Sequence, residues 1–152
     1  MRVAVIDANV VLKTFLPDPL STSCRALLEH LEEERFELLA PDLWAYETTS
    51  SLTKAVRHGQ ITPEQGRWAL NKIHNLPIRL CPPDSAQATD AFEWTLRLSR
   101  AAAYDSFYLA LAESLQCDLW TTDQRLVNSV AAEHPWVRPV PEQPAATGSS
   151  RV

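Results

Sequence analysis

Short apolar runs alternating with amphipathic stretches along 152 residues predict an α/β fold, a parallel sheet with helices on both faces. Val3-Ala-Val-Ile6 is a continuous, largely β-branched run of the kind found in a strand buried on both faces. Similar short runs recur at 36–40, 78–81 and 118–121, each separated from the next by segments with helical spacing. The length suits a single domain, and a chain of this size buries about 70% of its unfolded surface without a metal or disulfide staple.

Taken in order, Val3–Ile6 leads into Ala8–Phe15, one or two helical turns that Pro17-Asp18-Pro19 must stop. Ser21 or Thr22 is placed to cap a helix with Leu27, Leu28 and Leu31 on one side and Glu29, Glu32, Glu33 and Glu34 elsewhere. Phe36–Ala40 reads as the second strand. Asp42 then reads as the N-cap of a helix running to about His58, with Gly59 as its stop. Thr62-Pro63-Glu64-Gln65 combines a capping box with a proline at the first helical position and opens a helix to about Asn75. Ile78–Cys81 is a third strand, closed by Pro82-Pro83. Asp84 and Gln87 cap a helix expected to hold Ala88, Phe92 and Leu96 on its apolar face. An alanine-rich helix from about Ala103 to Gln116 precedes the fourth strand, Asp118–Thr121. A short helix near Gln124–Ala132 and a fifth strand at Trp136-Val137 follow.

Composition narrows the function classes. Hydrophobic residues at 45% and charged residues at 22% sit near the globular average, which argues against disorder and coiled coil. The 3 glycines, Gly59, Gly66 and Gly148, form neither a GxGxxG nor a GxxxxGK[ST] pattern, so no glycine loop cradles a dinucleotide or a nucleoside triphosphate. The apolar runs Val3–Ile6 and Phe107–Ala112 fall far short of the ~20 residues a bilayer requires, and Asp7 interrupts what would be the apolar core of a signal peptide. Cys24, Cys81 and Cys117 are odd in number and widely spaced, which argues for reduced thiols in a cytoplasmic protein and against a zinc module. A net charge of −5 and a pI near 5.3 point away from nucleic acid, but a pocket of carboxylates awaiting cations lowers the pI in the same way.

The chemistry is expected at the carboxyl ends of the strands, where such sheets place their sites. Asp7 follows the first strand and Asp123 follows Leu119-Trp120-Thr121-Thr122, so both stand over one rim. Glu47 lies on the second turn of the helix opened by Asp42, and Asp105 lies in the first turn of the alanine-rich helix. Each has a plainer role available: a turn for Asp7, a complement to the helix dipole for Asp105, a cap for Asp123. Together, uncompensated carboxylates repel, and hard divalent cations such as Mg²⁺ or Mn²⁺ resolve that conflict because they favour carboxylate oxygens. Lys54, Arg57 and His58, two to three turns beyond Glu47, and Arg97, Arg100 and Arg125, beside the acid-bearing segments, are candidate contacts to a phosphate backbone, against the alternative of a solvated helix face.

The segments Val5-Ile6-Asp7-Ala8-Asn9-Val10, the helix with Glu47, Tyr104-Asp105-Ser106-Phe107-Tyr108-Leu109-Ala110-Leu111-Ala112, and Leu119-Trp120-Thr121-Thr122-Asp123 resemble the PIN domain. More closely, they resemble VapC toxins of bacterial and archaeal toxin–antitoxin pairs. The resemblance spans about residues 2–138, giving a PIN-like nuclease domain over 1–138 and a mobile C-terminal tail over 139–152. It implies a three-layer α/β/α sandwich around a parallel sheet of about five strands. It further implies a Mg²⁺- or Mn²⁺-dependent endoribonuclease, a homodimer, and a VapB-like antitoxin that holds it inactive. Asp7, Glu47, Asp105 and Asp123 match the family's acidic quartet, with Asn9 and Thr121 as supporting polar residues. Asp7 and Asp105 are then the principal metal ligands, and RNA is cut to leave a 5′-phosphate and a 3′-hydroxyl. Gln124 and Arg125 stand where some relatives carry a further acid, which implies one tight metal site and a weaker second.

Three rivals are weaker. A haloacid-dehalogenase-like phosphatase needs a second acid two residues after its first, where this chain has Asn9. A receiver domain needs an adjacent acidic pair and a late lysine. A PIN-like module that only binds RNA or protein does not need an intact quartet.

Overall fold

The computed structural model describes residues 2–100 and 103–143. Its strands are β1 (Val3–Ile6), β2 (Glu37–Pro41), β3 (Ile78–Cys81), β4 (Asp118–Thr121) and β5 (Val137–Pro139). The helices are α1 (Ala8–Phe15), α2 (Ser21–Glu33), α3 (Leu43–Arg57), α4 (Pro63–His74), α5 (Ser85–Arg97), α6 (Tyr104–Leu115) and α7 (Gln124–Val130). The strands form one parallel sheet in the order β3-β2-β1-β4-β5.

Strand β1 is central, with Val5 opposite Leu39 on one side and Leu119 on the other. Ala4, Val5 and Ile6 are fully buried, which explains why this strand is apolar without alternation. From β1 the chain moves outward through α1 and α2 to β2, then through α3 and α4 to β3. It returns through α5 and α6 to β4 on the far side of β1. Right-handed crossovers therefore place α1–α4 on one face and α5–α6 on the other, giving an α/β/α sandwich. Helix α6 lies across β1, β2 and β4. Tyr108, Leu109, Ala110, Leu111 and Ala112 are buried along it, so its apolar character runs almost all round.

The strand order reverses between β1 and β4, and the crevice at their carboxyl ends is the topological switch point. Because α6 leads into β4, its N-terminus opens at that same edge. Helix α3 leaves it after β2.

Local details depart from the sequence reading in four places. Neither Ser21 nor Thr22 caps α2; Leu20 holds the cap position, and the Asp18 carboxylate accepts from the Leu20 N–H at 2.8 Å. Lys13 pairs with Asp18 at 2.8 Å and fixes it there. Asp42 occupies the cap of α3 with helical backbone angles, so its carbonyl rather than its carboxylate bonds the helix start. On α5, Ala88, Phe92 and Leu96 face outward, Phe92 and Leu96 being more than half exposed. The buried side is Ala91 and Trp94, because the small Ala91 admits α6 closely and the Trp94 indole donates to Glu113 at 2.9 Å. Finally, β5 reaches Pro139, Val140 is buried, and the Gln143 N–H bonds the Ser23 hydroxyl at 3.0 Å, which carries the packed chain past residue 138. The remainder of the expected tail, 144–152, lies outside the described residues.

The start of α4 matches its sequence signature. The Thr62 hydroxyl accepts from the Gln65 N–H at 3.1 Å and the Gln65 side chain accepts from the Thr62 N–H at 2.8 Å. Thr62→Ala removes one half of this box at an exposed site, so the urea midpoint should fall by an amount worth about 1 kcal/mol. An unchanged midpoint would show that α4 is held by packing alone.

Candidate metal centre

Asp7 leaves β1 at the switch point and serves as N-cap of α1. One carboxylate oxygen accepts from the Asn9 N–H at 3.2 Å, and the other accepts from the Thr121 hydroxyl at 2.8 Å. Asn9 thus contributes its backbone, while its side chain is exposed. Thr121, buried at the end of β4, also accepts from the Asp123 N–H at 3.0 Å. This single hydroxyl therefore spans the crevice and sets Asp7 and Asp123 relative to each other.

Asp123 does cap α7 with one oxygen, at 3.0 Å from the Leu126 N–H. Its other oxygen faces Arg100, whose Nη1 lies 3.5 Å from Asp123 and 3.2 Å from Asp105. Asp105, in the first turn of α6, is half-exposed at the rim. Glu47 approaches from α3, where the buried Tyr108 hydroxyl donates to its Oε1 at 2.8 Å. Burial pushes the Tyr108 phenol's own ionisation upward, so it remains a donor at ordinary pH.

The acids feel one another. Burial pushes Asp7 up to about 6 from 3.8, against the hydrogen bonds from Thr121 and Asn9, and the charges of Asp105 and Asp123 add to the rise. Burial likewise pushes Glu47 up to about 7 from 4.5, with Asp7 and Asp105 adding to it and the Tyr108 bond opposing it. Asp105 is raised chiefly by burial, with Arg100 pulling it down and Asp123 pushing it up. An all-oxygen set of mutually repelling carboxylates is the donor set that hard divalent ions select. Among the described residues, no three acids stand close enough to enclose an ion together. The reason is visible in their partners: Asp105 and Asp123 are drawn onto Arg100, Asp7 is bonded to Thr121, and Glu47 to Tyr108. The guanidinium stands in for a cation at the pair it bridges.

The candidate RNA contacts fall in different places. Arg125 is exposed in the first turn of α7, two residues past Asp123 and at the same rim. Lys54 and Arg57 lie near the far end of α3, seven and ten residues beyond Glu47. At 1.5 Å per residue that is about 10 and 15 Å away along the helix axis. One residue gains a role here that the sequence did not assign. Tyr108 follows Asp105 by three, a spacing that puts both on one helix face. Arg100, a candidate phosphate contact because it lies beside the Asp105 segment, bridges Asp105 and Asp123 in the folded chain.

A single parallel sheet with an acidic rim at its switch point is the architecture of the PIN domain; residues 4–132 match that family, and the chain belongs to it. Among its relatives, a VapC ribonuclease of Mycobacterium bovis is 31% identical over 133 residues, covering 86% of this chain and 94% of that protein. Ribonuclease VapC3 of Pyrobaculum aerophilum is 27% identical, covering 84% and 95%. Among solved structures, VapBC2 from Rickettsia felis, bound to a DNA fragment from its promoter, has a TM-score of 0.64 at 13% identity, over 90% of this chain and 96% of that one. Mycobacterium tuberculosis VapC20, a toxin that cleaves the sarcin–ricin loop, has a TM-score of 0.61 at 14% identity, over 90% and 99%. At such identities the structures establish the fold.

The acid cluster makes a pH signature. Asp7 ionises near 6 in the folded chain and near 3.8 when unfolded, so the folded state binds more protons between these values and stability falls as pH rises through that window. The full effect is at most about 3 kcal/mol. Thermal melts in EDTA should therefore show a midpoint that drops between pH 4 and pH 7, with a smaller drop in Asp7→Asn. Equal slopes in the two proteins would show that Asp7 is not destabilised by its site.

Proposed function

We propose that the chain is the toxin of a VapBC-type pair, an endoribonuclease that hydrolyses RNA phosphodiester bonds at the acidic rim. One observation carries this reading: acids from four distant segments gather at the switch point of a PIN-domain sheet. Its relatives over nearly their whole length are VapC ribonucleases. Solved toxin–antitoxin complexes share the fold, which supports a VapB-like antitoxin as partner. Among the described residues no helix is long and apolar enough to cross a membrane, in keeping with a site of action among cytoplasmic RNAs. We further propose a homodimer, as in the family.

Asp7 and Asp105 would hold Mg²⁺ or Mn²⁺, with Glu47 and Asp123 completing the set directly or through water. A divalent ion supplies Lewis-acid stabilisation for charge developing on the phosphate and a more acidic water. The chain's own residues do the positioning. Thr121 fixes Asp7 against Asp123, Tyr108 orients Glu47, and the caps on α1 and α7 hold both strand-end acids rigid. Arg125 is the basic residue best placed to meet the RNA backbone. Hydrolysis in which water adds to the phosphorus and the 3′ oxygen leaves, taking up a proton, would give the 5′-phosphate and 3′-hydroxyl that the family resemblance implies.

The bridge from Arg100 to two of the acids favours a second reading, a catalytically weak module that binds RNA or protein. Purified protein incubated with total RNA in Mg²⁺ or Mn²⁺ should yield discrete fragments, and EDTA should abolish them. Asp7→Asn and Asp105→Asn should each slow cleavage at least ~100-fold, the scale on which metal sites respond to damage in their shells. Intact RNA after incubation with antitoxin-free, metal-loaded protein would support the second reading instead.

A further inference from the structure

We propose that Arg100 is a resident counter-cation of the acid cluster, competing with a divalent ion for Asp105 and Asp123 and, once displaced, taking an oxygen of the RNA phosphate. The proposal deepens the nuclease reading and rests on it for the second half only.

The placement of Arg100 is built into the end of α5. Ser99 adopts the left-handed conformation, with φ of 51°. The Ser99 N–H bonds the Leu96 carbonyl and the Arg100 N–H bonds the Thr95 carbonyl, each at 3.1 Å. These are the paired bonds of a Schellman turn, which reverses the chain at a fixed point. Thr95, the acceptor in that turn, also shares a hydrogen bond between its hydroxyl and that of Ser106 at 2.8 Å, so the last turn of α5 is tied to the first turn of α6 beside Asp105. The guanidinium is thereby delivered to the rim by backbone geometry on one side and by a helix–helix bond on the other.

What it does there follows from charge. The Nη1 atom lies 3.2 Å from Asp105 and 3.5 Å from Asp123, two of the acids that would hold a divalent ion. A single positive charge in a partly exposed pairing is weakly held, whereas a doubly charged ion with carboxylate ligands gains far more from the same oxygens. The arginine thus keeps two like charges together in the metal-free chain and yields to the ion. It cannot leave the neighbourhood, because its backbone stays in the Schellman turn. A guanidinium's fork of donors fits phosphate as well as carboxylate, and the RNA backbone is the anion that arrives when the acids are otherwise engaged. By this account Arg100 is a positioning residue for the acids and a binding residue for the substrate.

The test measures Mn²⁺ binding to metal-free protein by calorimetry, alongside RNA cleavage at saturating Mn²⁺, for the native chain, Arg100→Gln and Arg97→Gln. Arg97 is the charge-matched control: it leaves the same helix end but stacks over Trp94, 4.5 Å from the ring centre. Arg100→Gln should bind Mn²⁺ several-fold more tightly than the native chain, while its KM for RNA rises about tenfold and kcat changes little. Arg97→Gln should match the native chain in Mn²⁺ affinity. Unchanged or weaker Mn²⁺ binding in Arg100→Gln, or equal tightening in Arg97→Gln, overturns the competition. Tighter Mn²⁺ binding in Arg100→Gln with no RNA cleavage by any of the three proteins upholds the competition and overturns the nuclease reading instead.

Discussion

Carboxylates crowded at one edge of a sheet repel one another, and the rim is organised around that repulsion. Asp7 and Glu47 are forced upward in pKa chiefly by desolvation, with the charges of neighbouring acids adding to the rise. The chain answers with donors. Thr121 and the Asn9 amide hold Asp7, Tyr108 holds Glu47, Arg100 bridges Asp105 and Asp123, and the Leu126 amide takes the remaining oxygen of Asp123. Every acid therefore enters the site with a defined orientation before any cation arrives. An ion that gathers these acids must draw Asp105 and Asp123 off Arg100.

The stability to hold such a cluster comes from below the rim. Strand β1 is buried on both faces, α6 is apolar almost all round, and the contacts of both lie in one core. Hydrophobic burial there offsets the cost of unneutralised acids above. The same geometry explains why the site sits where it does. Parallel strands carry all their carboxyl ends to one edge, and the reversal of strand order between β1 and β4 leaves a crevice that neither crossover covers. Asp7 and Asp123 stand on the two sides of that crevice, and the Thr121 hydroxyl closes the distance between them.

Much of this was legible along the chain. The apolar runs marked four strands because a buried parallel strand has no solvent face to alternate with, and acids directly after two of them placed chemistry at one rim. The capping box at Thr62 was readable because all its groups lie within four residues. The α5 face was misread for an equally physical reason. Residues 88, 92 and 96 and residues 91, 94 and 98 both satisfy helical periodicity, so the pattern alone left the rotation of the helix undecided, and Ala91 and Trp94 settled it by packing on α6.

The sequence by itself determined which segments are strands and which of them are followed by an acid, and hence the edge at which four carboxylates were expected to meet. Those features are local, fixed by hydrophobic period and by residues next to one another. Only the tertiary structure decided which group answers each charge. Tyr108 and Glu47 are 61 residues apart and Thr121 and Asp7 are 114 apart. Such pairs depend on how crossovers and helix rotations bring separate elements together, and no spacing along the chain encodes that. Arg100 is the clearest case. It is close to Asp105 in sequence, yet its hold on Asp123 exists only because a left-handed turn at Ser99 and the return of α6 to β4 set one guanidinium between a helix-start acid and a strand-end acid.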